Sequence, residues 1–478
     1  MGKKKMNKTL KAVLIILGVI LALILVLFVW AFVTYDDSSD ENMEEANQKS
    51  AGEASLSAEA DVDSTVSTQG ITKAQTPANA AVSPREHYVD TDTAESVTVM
   101  VYMIGSDLES EAGAASLNLG KMADATLDDD VNIIIETGGC EEWQTEGIEG
   151  GINQRWIIDS EGWSALGDYG TDSMGDPETL SDFIAWTGDN FEADRNILIL
   201  WDHGGGLLGG YGKDTMHNDE GMEICDLPEV LDEGGVQFDM IGFDACIMGT
   251  AEIAYALEPY ADYLVASEEE IPGEGWYYTD FLSELSKTPN MSTAELGKTI
   301  IDDYDDLYKD TDESVTLSLV DLAYMPVVYS EISDFFSDAK TEIEGNNDEF
   351  TTLSKARNDA TEYADNEFDQ VDIIDFVSRT DFEGRDELVN AVNDCVVYKN
   401  NSTIAGSNGL AMYFPYRQLD YYYSATLLLR DIGFTEPLDS YDYFASILSN
   451  GQSVNPSSNG IMSNSSGDDN TQNDSHHA

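Results

Sequence analysis

Apolar residues along this chain fall into two rhythms. Short runs at 97–104, 131–136, 197–201, 240–243, 263–266, 315–320 and 410–414 are four to eight residues long and flanked by polar residues, Gly or Pro. Runs of that length predict strands buried on both faces. Between many of them the apolar positions recur at helical spacing. Leu180, Phe183, Ile184 and Trp186 lie largely on one face, as do Ile247, Ala251, Ala254 and Leu257. Strands alternating with amphipathic helices predict an α/β fold, a mostly parallel sheet with helices on both faces. Ligands in such sheets sit at the carboxyl ends of the strands. The chain shows no internal repeat.

The first apolar run is of another kind. Residues 12–33 carry no charge and follow a flank, 1–11, that holds Lys3, Lys4, Lys5, Lys8 and Lys11. At about 1.5 Å per helical residue the run reaches roughly 33 Å, enough for a bilayer core of about 30 Å. Its end, Trp30-Ala-Phe-Val33, offers no small-residue cleavage site, so it reads as an uncleaved anchor rather than a removed signal. The basic flank stays in the cytoplasm and the rest of the chain lies outside the cell. That arrangement suits a single-pass protein of a Gram-positive-type bacterium. Residues 36–95 are rich in Ala, Ser, Thr, Glu and Asp and read as a disordered acidic stalk. The folded domain is expected over 96–448, followed by a disordered Ser/Asn/Asp-rich tail, 449–478.

Charge narrows the partners. The formal net charge is −69. Five of the 23 Lys and Arg precede position 36 and none of the 92 Asp and Glu do, so the outward part carries 18 against 92, or −74. Such a surface repels nucleic acid, which is excluded as a partner. The four cysteines, Cys140, Cys225, Cys246 and Cys395, form no CxxC pair. A zinc ribbon or thioredoxin-like site is therefore not expected, though one disulfide among Cys140, Cys225 and Cys395 is open.

Two segments carry chemistry. NILILWD at 196–202 leads into His203 and Gly204-Gly205-Gly206, and FDMIGFDA at 238–245 leads into Cys246. Each reads as a buried strand with a reactive side chain at its carboxyl end, a base and a nucleophile if brought together. Cys246 is expected to end a strand and begin a helix, whose macrodipole would lower the thiol pKa and whose first amides would face an oxyanion. The glycines after His203 allow close approach of backbone to substrate, with the Gly204 amide a further oxyanion donor. A phosphate loop is excluded, because Leu207 replaces the leading glycine and Asp214 follows Lys213. A zinc site from His203, His217, Cys225 and Cys246 lacks any short ligand pair.

These residues resemble the clostripain family of cysteine peptidases, in the caspase-like clan. His-Gly at one strand end and Asp-Ala-Cys at another carry the likeness. Ser267-Glu268, Pro272-Gly273, Gly275-Trp276, VDIIDF at 371–376 and GLAMYFP at 409–415 extend it over roughly 97–444. The resemblance implies a caspase-like sheet and an endopeptidase acting on polypeptides. Cys246 would attack as thiolate, His203 would protonate the leaving amine, and the Gly204 and Cys246 amides would hold the oxyanion. Asp244 would either order the site or cap the next helix. Cleavage after Arg or Lys, the family preference, needs an acidic pocket; Glu268, Glu269, Glu270 and Glu274 are the acids in 267–279, each equally readable as a solvated loop charge. Calcium is a cofactor the family admits, although the chemistry needs none and no EF-hand loop appears. Self-cleavage between His and Cys points to Lys213, the one Lys or Arg between them, which reads equally as an exposed loop lysine. The rival readings are a catalytically silent surface binding or adhesion protein on the same fold, and a cysteine hydrolase of non-peptide amides.

Overall fold

The computed structural model describes residues 82–364, 368–400 and 404–449. The predicted basic flank and anchor, the stalk up to residue 81, and the tail from residue 450 lie outside the described residues. Among the described residues, no helix is long and apolar enough to cross a membrane.

The strands are β1 (Val97–Ile104), β2 (Val131–Gly138), β3 (Gln154–Asp159), β4 (Gly162–Asp168), β5 (Arg195–Trp201), β6 (Tyr211–Asp214), β7 (Glu220–Met222), β8 (Phe238–Asp244), β9 (Ala261–Ala266), β10 (Leu317–Asp321), β11 (Gln370–Asp372), β12 (Val396–Asn400) and β13 (Ala411–Tyr413). Nine of them form one sheet in the order β12-β10-β9-β8-β5-β1-β2-β3-β4. The five central strands, β9, β8, β5, β1 and β2, are mutually parallel, and the two strands at each edge are antiparallel to their neighbours. The run expected as a strand at 410–414 lies outside this sheet. As β13 it pairs with β11, and the Ala411 amide donates to the Gly249 carbonyl just beyond the end of β8.

The helices are α1 (Ser106–Ala112), α2 (Ala114–Ala123), α3 (Pro177–Asn190), α4 (Gly206–Gly209), α5 (Leu227–Gly234), α6 (Ala251–Leu257), α7 (Tyr278–Lys287), α8 (Thr293–Tyr308), α9 (Met325–Ile343), α10 (Asn347–Asp359), α11 (Ile373–Val377), α12 (Arg385–Cys395), α13 (Tyr422–Asp431) and α14 (Leu438–Ser449). They cover both faces, as the period-two alternation of the strands requires. From β1, Met100, Tyr102 and Ile104 enter a core with Leu180, Phe183 and Ile184 of α3 and Ile253, Ala254 and Leu257 of α6. Val99, Val101 and Met103 enter the opposite core with Leu119 and Met122 of α2, Phe281 and Leu285 of α7, and Ile300 of α8. Each such side chain, fully buried, contributes about 1.5–3 kcal/mol.

Two sequence expectations are corrected here. Ile247 does not share the face of Ala251, Ala254 and Leu257: it sits in a turn with φ +53°, and α6 starts only at Ala251, capped by the Thr250 hydroxyl. The helical spacing from Ile247 to Ala251 arises because both ends of the turn are buried, not because a helix spans them. Residues 82–95, assigned to the stalk, pack on the domain. Arg85 donates to Glu258 (2.6 Å) and Asp262 (2.8 Å), and Asp262 also accepts from the amides of Tyr88 and Val89. Asp262 lies at the start of β9, so this segment joins the end of the sheet opposite the carboxyl ends of β5 and β8. A guanidinium held by two carboxylates fixes a segment whose apolar content alone would not.

Gly242, in the middle of β8, shows how tightly the second core is closed. A methyl group there would lie 2.7 Å from the indole of the fully buried Trp276. Gly242→Ala is therefore expected to destabilise the domain by about 1–3 kcal/mol, read as a lower midpoint in chemical denaturation. An unchanged midpoint would show that Trp276 is not packed against β8.

Candidate active site

Register brings three strand ends together. Met103 of β1, Trp201 of β5 and Asp244 of β8 stand side by side. Beyond them the chain delivers Asp107, His203 and Cys246 at one end of the sheet, in that lateral order. His203 and Cys246 each lie two residues past the last paired position, so the two strands release them at the same height. The backbones touch there: a methyl group on Gly204 would lie 2.2 Å from the Cys246 carbonyl oxygen and 3.0 Å from its nitrogen. Only glycine fits. The Gly204 amide also escapes pairing with the β6 segment, since the flanking bonds run from Gly212 N to His203 O (3.0 Å) and from Gly205 N to Gly210 O (2.8 Å).

Cys246 occupies a turn, not a helix start. The chain from Ala245 to Gly249 bridges the end of β8 to Thr250, the cap of α6. Ile247, a β-branched residue at φ +53°, is held there by two bonds: its amide donates to Glu269 O (3.1 Å) and its carbonyl accepts from Gln370 Nε2 (3.1 Å). Such a conformation costs of order 1–3 kcal/mol and survives only where its surroundings impose it. The segment after β9 then folds over the sulfur, with the Ile271 amide donating to Cys246 Sγ (3.2 Å). On the other side, His203 Nε2 lies 3.1 Å from Asp107 Oδ1, and among the described residues Nδ1 has no hydrogen-bond partner.

Comparison with known proteins fits this arrangement. A family-wide sequence model described as the clostripain family matches residues 101–449. The chain belongs to the clostripain family. Clostripain of Hathewaya histolytica is 26 % identical over 319 residues, 53 % of this chain and 60 % of that protein. This chain thus spans about three-fifths of the length of that relative. A secreted C11 cysteine protease from Bacteroides thetaiotaomicron, solved with an irreversible peptide inhibitor, superposes with TM-score 0.56 at 20 % identity, covering 71 % of this chain and 99 % of that one. An inactive zymogen C11 protease from Parabacteroides distasonis gives TM-score 0.56 at 22 % identity, with the same coverage. These two structures share the fold of this clostripain-family domain.

Electrostatics in the domain differ from the sequence expectation. The Cys246 thiol is pushed up to about 11, first by burial, which the Ile271 backbone contact opposes, and further by Glu270, Asp244 and Glu269. The helix expected to lower it begins five residues later, beyond the reach of a first-turn dipole. The four loop glutamates are not one cluster. Glu268 is buried, accepting from the Gly409 amide (2.9 Å) and the Ser407 hydroxyl; Glu269 accepts from the Ala364 amide (3.1 Å); Glu270 and Glu274 are exposed. Asp244 neither caps α6 nor faces solvent. Its Oδ2 accepts from the Trp276 amide (3.0 Å) and the Tyr278 hydroxyl (2.8 Å), while its buried Oδ1 has no partner among the described residues. Burial pushes this carboxyl up to about 6.

All four cysteines are free, so the disulfide left open does not form. Among the described residues, no group of three or more His, Cys, Asp or Glu side chains is arranged to hold a metal ion. Lys213 is not in an open loop but in β6, paired with β7, its amide donating to Asp202 Oδ2 (2.6 Å). Asp107 was missed, because nothing local in Ile104-Gly-Ser-Asp107 marks it; its place depends on β1 lying beside β5.

A thiol so buried among carboxylates should react slowly at neutral pH. In the absence of substrate, alkylation of Cys246 by iodoacetamide is expected to keep accelerating toward about pH 11, because only the thiolate reacts. A rate plateau already reached between about pH 6 and 8 would mean a resting thiolate, contrary to this electrostatic reading.

Proposed function

We propose that this domain is a cysteine endopeptidase with Cys246 as nucleophile and His203 as proton carrier, cutting polypeptides after basic residues. The observation that carries it is the release of His203 and Cys246 at equal height from adjacent parallel strands, with Gly204 against the Cys246 backbone. His203 Nδ1 takes the thiol proton as Cys246 Sγ bonds to the scissile carbonyl carbon. The resulting imidazolium returns that proton to the leaving amine, and water then hydrolyses the thioester. The Gly204 and Cys246 amides serve the oxyanion. Nothing in this sequence of steps calls on a metal.

Asp244 suits the basic preference better than the loop glutamates do. It lies two residues before Cys246, is nearly fully buried, and keeps one oxygen without a partner among the described residues. An incoming ammonium or guanidinium would satisfy that oxygen and discharge the cost of a buried carboxylate. Glu270 and Glu274, exposed on the loop between Ser267 and Thr279, add to the attraction at longer range. Membrane attachment, with the domain outside the cell, rests on the lysine-flanked run 12–33 alone.

With the full-length protein, peptides ending in Lys or Arg before a reporter group should be hydrolysed, and Cys246→Ala should abolish this. Asp244→Asn should lower kcat/KM for those peptides by about two orders of magnitude, the scale of a lost desolvated charge pair. Inactivity of the wild type on a broad peptide library would leave the binding-protein reading. Self-processing has its own outcome. Because the Lys213–Asp214 bond lies in a paired ribbon, a cut there requires local opening. Two fragments ending and starting at that bond should accumulate slowly, and Lys213→Ala should stay whole. The same fragments from Lys213→Ala would remove this site.

A further inference from the structure

Asp107 stands at a junction that the dyad alone does not explain. Its Oδ1 lies 3.1 Å from His203 Nε2 and accepts at 3.1 Å from Lys213 Nζ. The residue before it, Ser106, is buried and adopts φ +48°, a conformation that non-glycine residues avoid. The Ser106 hydroxyl donates to Asp202 Oδ1 (2.6 Å), and Asp202 Oδ2 accepts the Lys213 amide (2.6 Å). Asp202 is itself the residue before His203. Three strands are thus cross-tied at the residues next to the imidazole: β1 through Ser106 and Asp107, β5 through Asp202 and His203, β6 through Lys213.

We infer that Asp107 is the positioning residue of His203, and that Lys213, by holding the same carboxylate oxygen, restrains its grip on the ring. This rests on His203 being the proton carrier of the proposed peptidase. A carboxylate on Nε2–H fixes the tautomer, leaves Nδ1 as the proton-accepting nitrogen, and stabilises the imidazolium formed when the thiol proton is taken. An ammonium on that carboxylate does the opposite: it spends part of the anion's charge and places a second cation near the ring. The charges facing this group are known. Asp202, pushed up to about 7 by burial, flanks it from β5, and Asp219 lies 3.9 Å from Lys213 Nζ. Glu269, Glu270 and Asp244 act from the side of the thiol. Burial raises the Asp107 carboxyl, but hydrogen bonds from Lys213 and His203 outweigh it and hold it below the usual range.

The test is the pH profile of kcat/KM for the full-length protein on a Lys-terminated reporter peptide, with kcat and KM separated. The thiol proton must pass to the ring before the sulfur can bond to carbon, so a displaced acid limb between variants reports a change in that proton-accepting step. Asp107→Asn should lower kcat about 10- to 100-fold with KM within about twofold, and move the acid limb to lower pH. Lys213→Met should move the limb to higher pH, whereas Lys213→Arg, which keeps the cation, should leave it in place. A wild-type kcat and limb in Asp107→Asn, in an enzyme that His203→Ala inactivates, would overturn the positioning role while leaving the dyad intact. Should Asp107→Asn fold poorly, Lys213→Met decides: an unmoved or lowered limb overturns the inference. Full activity in His203→Ala would overturn the proposed function itself, and this inference with it.

Discussion

Adjacent parallel strands in a sheet lie about 4.8 Å apart, and everything at this site depends on that lateral spacing. β1, β5 and β8 are paired in register, and their carboxyl ends stop within a residue or so of one another. Three segments separated by roughly a hundred and forty positions of sequence are thereby placed within reach of each other, with Asp107, His203 and Cys246 in spatial order. The register is itself imposed by burial. A slip of one residue along β1 would exchange Met100 and Tyr102 for Val99 and Val101 between cores shaped for each set. The two cores therefore do more than stabilise: they fix the height at which each reactive group leaves the sheet. Gly204 then sets how closely the two strand extensions approach.

A second constraint is the scarcity of cations. With 23 Lys and Arg against 92 Asp and Glu, the chain has few positive groups to distribute. Several are spent inside. Arg155, Arg195 and Arg357 are fully buried, tied to Glu136, Asp239 and Glu362 respectively. Arg195, at the start of β5, joins distant parts of the chain, since it also holds the carbonyls of Pro289 and Met291 before α8. Among the described residues no cation bonds to the Cys246 thiol, and its pKa rises first through burial and further through the field of Glu270, Asp244 and Glu269. Lys213 shares the Asp107 carboxylate oxygen with the imidazole, so it is bound to an acid rather than left to face the sulfur.

The legible part of the fold was its buried middle. β1 matches the expected run 97–104, and β5 and β8 contain theirs, because strands covered on both faces must be apolar throughout. The edges were not legible. β4 reads GWSALGD and β12 reads VVYKN, and polar residues are tolerated there because one flank of an edge strand lacks a sheet neighbour or meets solvent. At the site, His203 and Cys246 announced themselves by following buried strands, and Gly204 by its glycine neighbours. Asp107 could not, since its significance lies in strand order, which periodicity does not encode. The turn at Ile247 was mistaken for helix because a buried turn residue and a buried helical residue look alike in one dimension. Asp244 was visible as a residue but not as an acid with an unsatisfied oxygen.

The features that make the thiol sluggish are the same ones that would make it selective. Burial and the field of Asp244, Glu269 and Glu270 hold the sulfur protonated in the resting protein. A thiolate beside these acids is disfavoured for the same electrostatic reason that a cation beside them is favoured. On the proposed reading, a basic side chain entering next to Asp244 brings in the missing positive charge. It pairs with the orphaned carboxylate oxygen and, by offsetting the local negative field, lowers the free energy of the thiolate at the moment a scissile bond is in place. A neutral side chain filling the same space would leave the field unchanged and the sulfur protonated. Preference for a cation would then be expressed in the bond-making step as well as in binding, since the same charge serves both. A site built this way has little reactivity to lose on wrong substrates, and none of its acids needs to touch the sulfur to achieve it.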